Sequence, residues 1–195
     1  MTPGGGGHAL ADALGYPVPG EPSRLVRSLR AAASTAPASA VLARTLRPAD
    51  ALLSRWGAAR AGGSGLLVGL PVVTLTTTGA RSGLPRAVPL IPVVTEAAFA
   101  VLGTNFGGER TPAWVRNLEA NPEASIAFAG RDLRVRTRQL EGAEQEALLA
   151  AAVRLYPGFG RYVVRAAHRR IRVVALEALE RPAGGSAAPV RPPPG

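Results

Sequence analysis

The segment LTTTGARSGLPRAVPL, residues 75–90, carries side chains suited to binding an anion. Residues 78–86 of this segment combine two arginines, two hydroxyl side chains and two glycines: Arg81, Arg86, Thr78, Ser82, Gly79 and Gly83. Arginines form forked, charge-assisted hydrogen bonds to phosphate or carboxylate, and glycines let backbone N–H groups converge on the same ligand. A plain hairpin loop, with the glycines at positive φ and the arginines in solvent, explains the same pattern. Both interpretations predict a turn between two strands.

A second candidate site is GTNFGGERTPAWVRNLEANP, residues 103–122. A strand leads through a glycine-rich loop into a helix, whose unpaired N-terminal N–H groups favour a negative charge or an electron-rich ring. Thr111 is the predicted N-cap, with Pro112 at the first helical position. Trp114 and Asn117 are three residues apart and share one helix face. Alternatively, Trp114 is a core residue and Asn117 a surface residue.

The third candidate is YPGFGRY, residues 156–162, in a chain with few aromatic residues. Tyr156, Phe159 and Tyr162 follow one another at a spacing of three. They could line an apolar pocket with phenols that donate a proton or orient a ligand. They could equally form a packed corner between two helices.

The composition narrows the chemistry that these segments can perform. The chain has no cysteine, which excludes disulfides, thiolate metal sites and a cysteine nucleophile. The net charge of +10 comes from arginine alone and is spread along the chain, without a motif typical of nucleic-acid-binding proteins. His8 and His168 have no second ligand at a suitable spacing, so no metal site is predicted. Redox chemistry would therefore require a bound cofactor.

Hydrophobic alternation and turn residues predict an α+β fold with a mostly antiparallel sheet curled into a barrel. The predicted strands cover residues 72–78, 86–94, 98–102, 123–130, 131–140 and 171–176. The predicted helices include 111–122, 144–155 and a further helix that ends near residue 168. Pro89 and Pro92 cannot donate to a ladder, which favours an edge position or a bulge in the second strand.

The chain is expected to divide into four parts. Residues 1–20 and 181–195 are rich in Gly, Pro and Ala and are predicted to be disordered tails. Residues 21–65 form a predicted helical extension, and residues 66–180 form the barrel domain. Leu25, Val26 and Leu29 favour an amphipathic helix that lies on the protein surface or contacts a membrane. The N-terminus lacks the features of a secretory signal, which predicts a cytoplasmic location, with peripheral membrane contact as an option.

In their order and spacing, four segments together resemble the deazaflavin-dependent nitroreductase and quinone reductase family of actinobacteria, whose members use coenzyme F420. They are LTTTGARSGLPRAVPL, GTNFGGERTPAWVRNLEANP, LYPGFGRY and IRVVALE. The resemblance covers about residues 66–180. It implies a split β-barrel of about six strands, with inserted and flanking helices. It also implies an enzyme that transfers a hydride from reduced F420 to a small-molecule acceptor, namely a quinone, a nitroaromatic compound or an enone.

The resemblance also assigns roles to individual residues. The basic loop, with Thr78, Arg81, Ser82 and Arg86, matches the loop that holds the cofactor's phosphate and acidic tail. The residues expected to lie against the cofactor are Asn105, Gly107, Gly108, Ala113, Trp114 and Asn117. The residues expected to line the substrate pocket are Tyr156, Phe159 and Tyr162. Of these, Tyr156 or Tyr162 is the predicted catalytic residue, which donates a proton or orients the acceptor oxygen.

Two alternatives to this function follow from the same residues. An FMN-dependent oxidoreductase with the same type of barrel would also place a phosphate beside Arg81 and Arg86. A carrier without catalytic activity, for a deazaflavin or a fatty acid, would bind its ligand and show no turnover. The reduced cofactor that the protein binds distinguishes the first alternative, and turnover distinguishes the second.

Overall fold

A computed structural model describes residues 6–20 and 70–179 of the chain. The helices in this part are α1 Gly6–Leu14, α2 Ala113–Ala120, α3 Gly142–Leu155 and α4 Gly158–Arg165. The strands are β1 Val73–Thr78, β2 Pro85–Leu90, β3 Val93–Val94, β4 Phe99–Leu102, β5 Glu123–Phe128, β6 Arg131–Leu140 and β7 Val173–Ala178. None of these helices is long and apolar enough to span a bilayer.

The seven strands form one sheet in the order β2-β1-β5-β6-β7-β4-β3, and all neighbours are antiparallel. The sheet curls into a half-barrel, which confirms the predicted α+β fold with an antiparallel barrel. The ten-residue strand β6 joins the two sides, because its first part pairs with β5 and its last part with β7. A two-residue turn at Ala129 and Gly130, with φ of 48° and 83°, connects β5 to β6.

The predicted strand 86–94 is divided into two edge strands, β2 and β3, at opposite ends of the sheet. The pairing of β2 with β1 ends at Leu90, and β3 pairs with β4 instead. Pro92 lies in the break between them, where the missing N–H of proline has no ladder bond to lose. The predicted edge position is therefore confirmed, although the prediction of a single strand is wrong.

Apolar side chains form two core clusters, and β4 and β7 contribute alternate residues to each. Phe99 and Val101 of β4 belong to the first cluster, whereas Ala100 and Leu102 belong to the second. Because successive side chains of a strand point to opposite faces, the two clusters lie on opposite faces of this strand. The first cluster contains α1 and part of α2, and the second contains residues of α3 and α4.

The N-terminal stretch 6–16 contains α1 and contributes buried side chains to the core, so the prediction of a disordered tail over residues 1–20 is wrong for this stretch. Leu10, Ala11 and Leu14 of α1 are buried in the first cluster. Tyr16 packs edge-on against two phenylalanines, Phe99 and Phe128, and its hydroxyl donates to the carbonyl oxygen of Pro71 at 3.1 Å. The leucines supply enough apolar burial to order a segment that begins with glycines.

Three sequence predictions fall on residues that the structure does not describe. They are the helical extension over 21–65, the amphipathic helix within it that includes Leu25, Val26 and Leu29, and the C-terminal tail 181–195. The boundaries of the predicted parts of the chain, apart from the N-terminal correction, stay predictions.

Candidate functional site

The predicted basic loop is a hairpin turn between β1 and β2. The N–H of Gly79 donates to the carbonyl of Leu84 at 2.9 Å, and the N–H of Gly83, at φ +67°, donates to the carbonyl of Gly79 at 2.8 Å. Thr78, Arg81, Ser82 and Arg86 are exposed. Within the described ranges, neither arginine forms an ion pair. The loop therefore presents two guanidinium groups and two hydroxyls to an incoming anion.

Asn117 of α2 connects this loop to the end of β1 through two side-chain hydrogen bonds. Its side-chain amide donates to the Thr77 hydroxyl at 2.9 Å, and its carbonyl oxygen accepts from the Ala80 N–H at 3.0 Å. Asn117 is 8% exposed and Thr77 is 1% exposed, so the bond between their side chains is shielded from water, whereas the bond to Ala80 is partly buried. The Thr77 hydroxyl in turn donates to the carbonyl of Arg86 at 3.3 Å. The amide that was predicted to lie against a cofactor thus fixes the shape of the loop.

The second predicted segment is a tight loop that packs against α4. A 3₁₀ turn spans Asn105–Gly107, with positive φ at both ends. A Cβ atom added to Gly107 would lie 2.8 Å from the Cβ of Arg165 and 3.4 Å from the Cα of Tyr162. Glycine is therefore required here both for its φ of +79° and for the close approach to α4. The N–H of Gly108 donates to the carbonyl of Asn105 at 2.8 Å, which closes the turn.

Helix α2 begins at Ala113, and Pro112 rather than Thr111 is its N-cap residue. Pro112 has ψ of 145°, outside the helical range, so the predicted cap at Thr111 and the predicted helical start at Pro112 are both wrong. Ala113 is exposed, whereas Trp114 is 6% exposed and belongs to the first core cluster. The structure thus places the Trp114 side chain in the core, as the alternative interpretation expected. That interpretation is wrong for Asn117, which is buried and not a surface residue.

The three predicted aromatic residues of the third segment form one buried group. Their rings meet edge-on, at centroid distances of 5.6, 6.1 and 6.3 Å, and they belong to the second core cluster. The hydroxyls of Tyr156 and Tyr162 lie 3.3 Å apart and share a hydrogen bond. Burial, and then the hydrogen bond with Tyr156, raises the pKa of Tyr162 well above its usual value. The guanidinium of Arg165 lies 5.0 Å from the centre of the Tyr162 ring. Phe159 completes the group.

Arg169 is a residue of this site that the sequence interpretation missed. It follows α4, and each of its three guanidinium nitrogens donates to a different carbonyl of the loop: those of Gly103, Thr104 and Gly108, at 3.0, 2.8 and 3.1 Å. No local pattern distinguishes it among the arginines of this chain. The glycines at 103 and 108 could have indicated that this loop needs a hydrogen-bond donor, because they leave backbone carbonyls accessible.

These contacts connect the three predicted segments. Asn117 links α2 to the basic loop, and Gly107 and Arg169 link the loop before α2 to α4, which carries Tyr162. Trp114 is kept apart from Tyr156 and Tyr162, since it belongs to the first core cluster and they belong to the second. The described residues contain no group of His, Cys, Asp or Glu side chains that could hold a metal ion. The donor set fits an anionic organic ligand, with arginines and hydroxyls for its negative groups.

Comparison with known proteins identifies the family. Residues 47–178, more than half of the chain, match the family model described as F420H(2)-dependent quinone reductase. Curated relatives with that name occur in Mycobacterium tuberculosis (strains H37Rv and CDC 1551), and a putative one occurs in Mycobacterium bovis. Each is 36% identical over 56 residues, which is 29% of this chain. The aligned segment spans only 38% of the length of these relatives.

Two solved structures share the fold. An F420-H2 dependent reductase, FDR-A, is 36% identical, with a TM-score of 0.50, over 55% of this chain and 94% of its own. A protein described as a domain-swapped dimer is 32% identical, with a TM-score of 0.51, over 73% of this chain and 100% of its own. The resemblance inferred from the four sequence segments is confirmed by these matches. The chain therefore belongs to the F420H(2)-dependent quinone reductase family.

Proposed function

We propose that this protein is an oxidoreductase that binds reduced coenzyme F420 and reduces a quinone. The observation that carries the proposal is the exposed basic loop, whose Arg81 and Arg86 have no ion-pair partner in the described part of the chain. F420 carries a phosphate and an acidic glutamate tail, as the family resemblance implies, and arginines suit both groups. The family match supports F420 and gives no support to the alternative cofactor FMN.

The bound cofactor would supply the hydride, and the protein would position the reactants. The basic loop would hold the negative groups, with the Ser82 and Thr78 hydroxyls as additional donors. Asn105, Gly107 and Gly108, followed by Ala113 at the start of α2, would lie beside the ring system. Trp114 and Asn117 are buried and would support these residues from inside the protein.

Tyr156 and Tyr162 would act on the acceptor. A phenol is protonated at neutral pH, and burial raises the pKa of Tyr162 further, so its hydroxyl can donate a hydrogen bond to an acceptor oxygen even in mildly alkaline solution. The bond between the two hydroxyls lets one phenol orient the other. Phe159 would form the apolar side of the acceptor site. The family match favours a quinone as the acceptor, and nitroaromatic compounds and enones are further acceptors to be tested.

Cofactor titration tests the proposal. The purified protein is titrated with oxidised F420, with FMN in parallel, and binding is followed by the quenching of tryptophan or cofactor fluorescence. We expect F420 to bind and FMN not to bind. Arg81→Ala and Arg86→Ala should each raise the Kd for F420 about tenfold or more, because a charge-assisted hydrogen bond contributes about 1.5–3 kcal/mol.

Arg134→Ala is the matched control, since Arg134 is an equally exposed arginine on β6 whose partner is Glu123. Its Kd should stay near that of the unchanged protein. An unchanged Kd in both loop variants would contradict the anion-binding role of the loop. Oxidation of reduced F420 with menadione, a quinone, then separates the enzyme from a carrier: binding without turnover of any acceptor would mean a carrier.

A further inference from the structure

Arg169 holds the loop between β4 and α2 in one conformation. Its guanidinium binds three carbonyls of a six-residue stretch, and its position is fixed in turn because its own N–H donates to the carbonyl of Ala166 at 2.9 Å. Ala166 donates to the carbonyl of Tyr162 at 3.0 Å, so the turn that carries Arg169 continues directly from α4. The loop and the tyrosine group are therefore held by one element.

The three hydrogen bonds from the Arg169 guanidinium to the loop carbonyls form a clamp. The geometry of this clamp also determines where the loop's N–H groups point. In a trans peptide the carbonyl and the following N–H point in opposite directions. Because the carbonyls of Gly103, Thr104 and Gly108 point to the guanidinium, the N–H groups of the following residues, Thr104, Asn105 and Glu109, point away from it. Arg169 thereby turns a set of backbone donors to the opposite side of the loop.

The clamp has an energetic cost, which argues that it is more than an incidental surface contact. Arg169 is half-buried, and desolvation lowers the pKa of its guanidinium. Partial burial of a charge is unfavourable unless hydrogen bonds compensate for it, and here three nitrogens each have a carbonyl acceptor. The adjacent Arg170 differs, because it is exposed and forms only a surface ion pair with Glu141 at 3.2 Å.

We infer that Arg169 is a positioning residue for cofactor binding: by holding the carbonyls of Gly103, Thr104 and Gly108, it presents the opposite, N–H-bearing side of this loop to the cofactor. The inference rests on the proposed function, since that function places the cofactor beside this loop. Arg169 itself touches neither reactant in this account. It acts through the backbone that it holds.

Amide hydrogen exchange of residues 103–110, measured without any cofactor, tests the clamp. Arg169→Ala should speed exchange in this loop about tenfold or more, because it removes three hydrogen bonds to a charged donor. Arg170→Ala, the matched control, should leave the exchange of the loop unchanged. Equal exchange in both variants would overturn the clamp. If Arg169→Ala does not fold, Arg169→Gln, which keeps a shorter donor, replaces it.

Affinity for oxidised F420 tests the positioning role. Arg169→Ala should raise the Kd about tenfold, in parallel with the faster exchange, while Arg170→Ala stays within about twofold. Arg169→Lys keeps the charge but lacks the fork that reaches three acceptors, so it should resemble the Ala variant. Full rescue by lysine would overturn the requirement for the fork, and faster exchange with an unchanged Kd would overturn the positioning role.

The proposed function and the inference fail in different ways. If the unchanged protein does not bind F420, the proposed function fails, and the role toward the cofactor fails with it. If the unchanged protein binds F420 and Arg169→Ala binds it equally well, only the inference fails. Melting temperatures of all variants show whether a change in Kd merely reflects loss of folded protein.

Discussion

At the scale of single residues, the structure separates side chains that can meet a ligand from those that hold the site together. Arg81, Ser82 and Arg86 are exposed as the sequence predicts for binding residues, whereas Asn117 makes its hydrogen bonds inside the protein. Helical spacing could place Trp114 and Asn117 on one face of α2. It could not show that this face packs on β1 and its loop, because that contact joins residues about forty positions apart in the chain.

Replacing Asn117 by alanine should destabilise the fold and loosen the basic loop. The variant leaves the Ala80 N–H without its acceptor and removes the bond to the buried Thr77 hydroxyl. We expect the free energy of unfolding to fall by about 1–3 kcal/mol, measured by urea denaturation, together with weaker binding of F420. Asn121→Ala, at the end of the same helix, is the control. It loses a single, partly buried hydrogen bond, which the Glu123 N–H donates to the Asn121 side chain. Equal stability of the two variants would contradict this role of Asn117.

At the scale of elements, the regular pattern of the strands made most of the sheet predictable. Thr74 and Thr76 alternate with the buried Val73 and Leu75, as expected for a strand with one face in the core. The exposed arginines of β6 likewise alternate with residues that face inward, and Arg138 pairs with Glu144 and Glu177. Helix α1 was missed because its glycines were interpreted as a sign of disorder. Gly7 allows α1 to lie close to the backbone of residues 95–98, and composition alone does not reveal such tertiary packing.

Gly7→Ala should destabilise the protein, although alanine is the better helix former. A Cβ atom at Gly7 would lie within 2.6 Å of backbone atoms of Ala98 and still closer to the carbonyl oxygen of Thr95, so α1 would have to move away from the sheet. A cost of about 1–3 kcal/mol is expected for such overpacking. Gly6→Ala is the matched control, since its Cβ would lie 3.8 Å from the nearest atom outside the helix.

Of the two glycine variants, only Gly7→Ala should therefore destabilise the protein. Gly6→Ala should be neutral or stabilise the protein by up to about 1 kcal/mol, through the higher helix propensity of alanine. Thermal or urea denaturation of both proteins measures the difference. If Gly7→Ala behaves like Gly6→Ala, then α1 does not pack against the sheet in solution as the structure shows.

At the scale of the whole molecule, the order of the four recognisable segments predicted the family and the barrel, but not the order of strands in the sheet. Neighbouring strands in this sheet, such as β4 and β7, are separated by about seventy residues of chain, and no local pattern specifies such a pairing. The same long-range organisation separates the two core clusters. The first cluster encloses Tyr16, and the second encloses Tyr162 beside Tyr156.

Tyr16 and Tyr162 should both make the protein less stable in alkaline solution. Burial raises the pKa of Tyr16 and of Tyr162 above the usual value, so above about pH 10 the unfolded chain loses these protons while the folded protein retains them. The unfolded state then binds fewer protons, and the free energy of unfolding falls as the pH rises. Each tyrosine contributes a slope of up to about 1.4 kcal/mol per pH unit.

Urea denaturation between pH 8 and about pH 11 measures this slope. Tyr16→Phe and Tyr162→Phe should each flatten the alkaline fall, whatever their stability at neutral pH. A wild-type curve without any fall above pH 10, or variants that keep the full slope, would contradict the protonated state assigned to these phenols.

The two-residue turn at Ala129 and Gly130 has a consequence for the order in which the chain folds. It joins β5 to β6 with the shortest connection between two paired strands of the sheet, and positive φ at both positions matches the right-handed twist of a hairpin. Closing so short a loop costs little chain entropy, whereas the pairing of β4 with β7 must close a much longer one. We therefore expect the β5–β6 hairpin to form early and to provide the template on which β1 and β7 assemble.

Stopped-flow kinetics of two core variants test this order of folding. Ile126→Val in β5 should mainly slow refolding, and Val101→Ala in β4 should mainly speed unfolding. The reverse pattern would place the folding nucleus at the β4 side of the barrel.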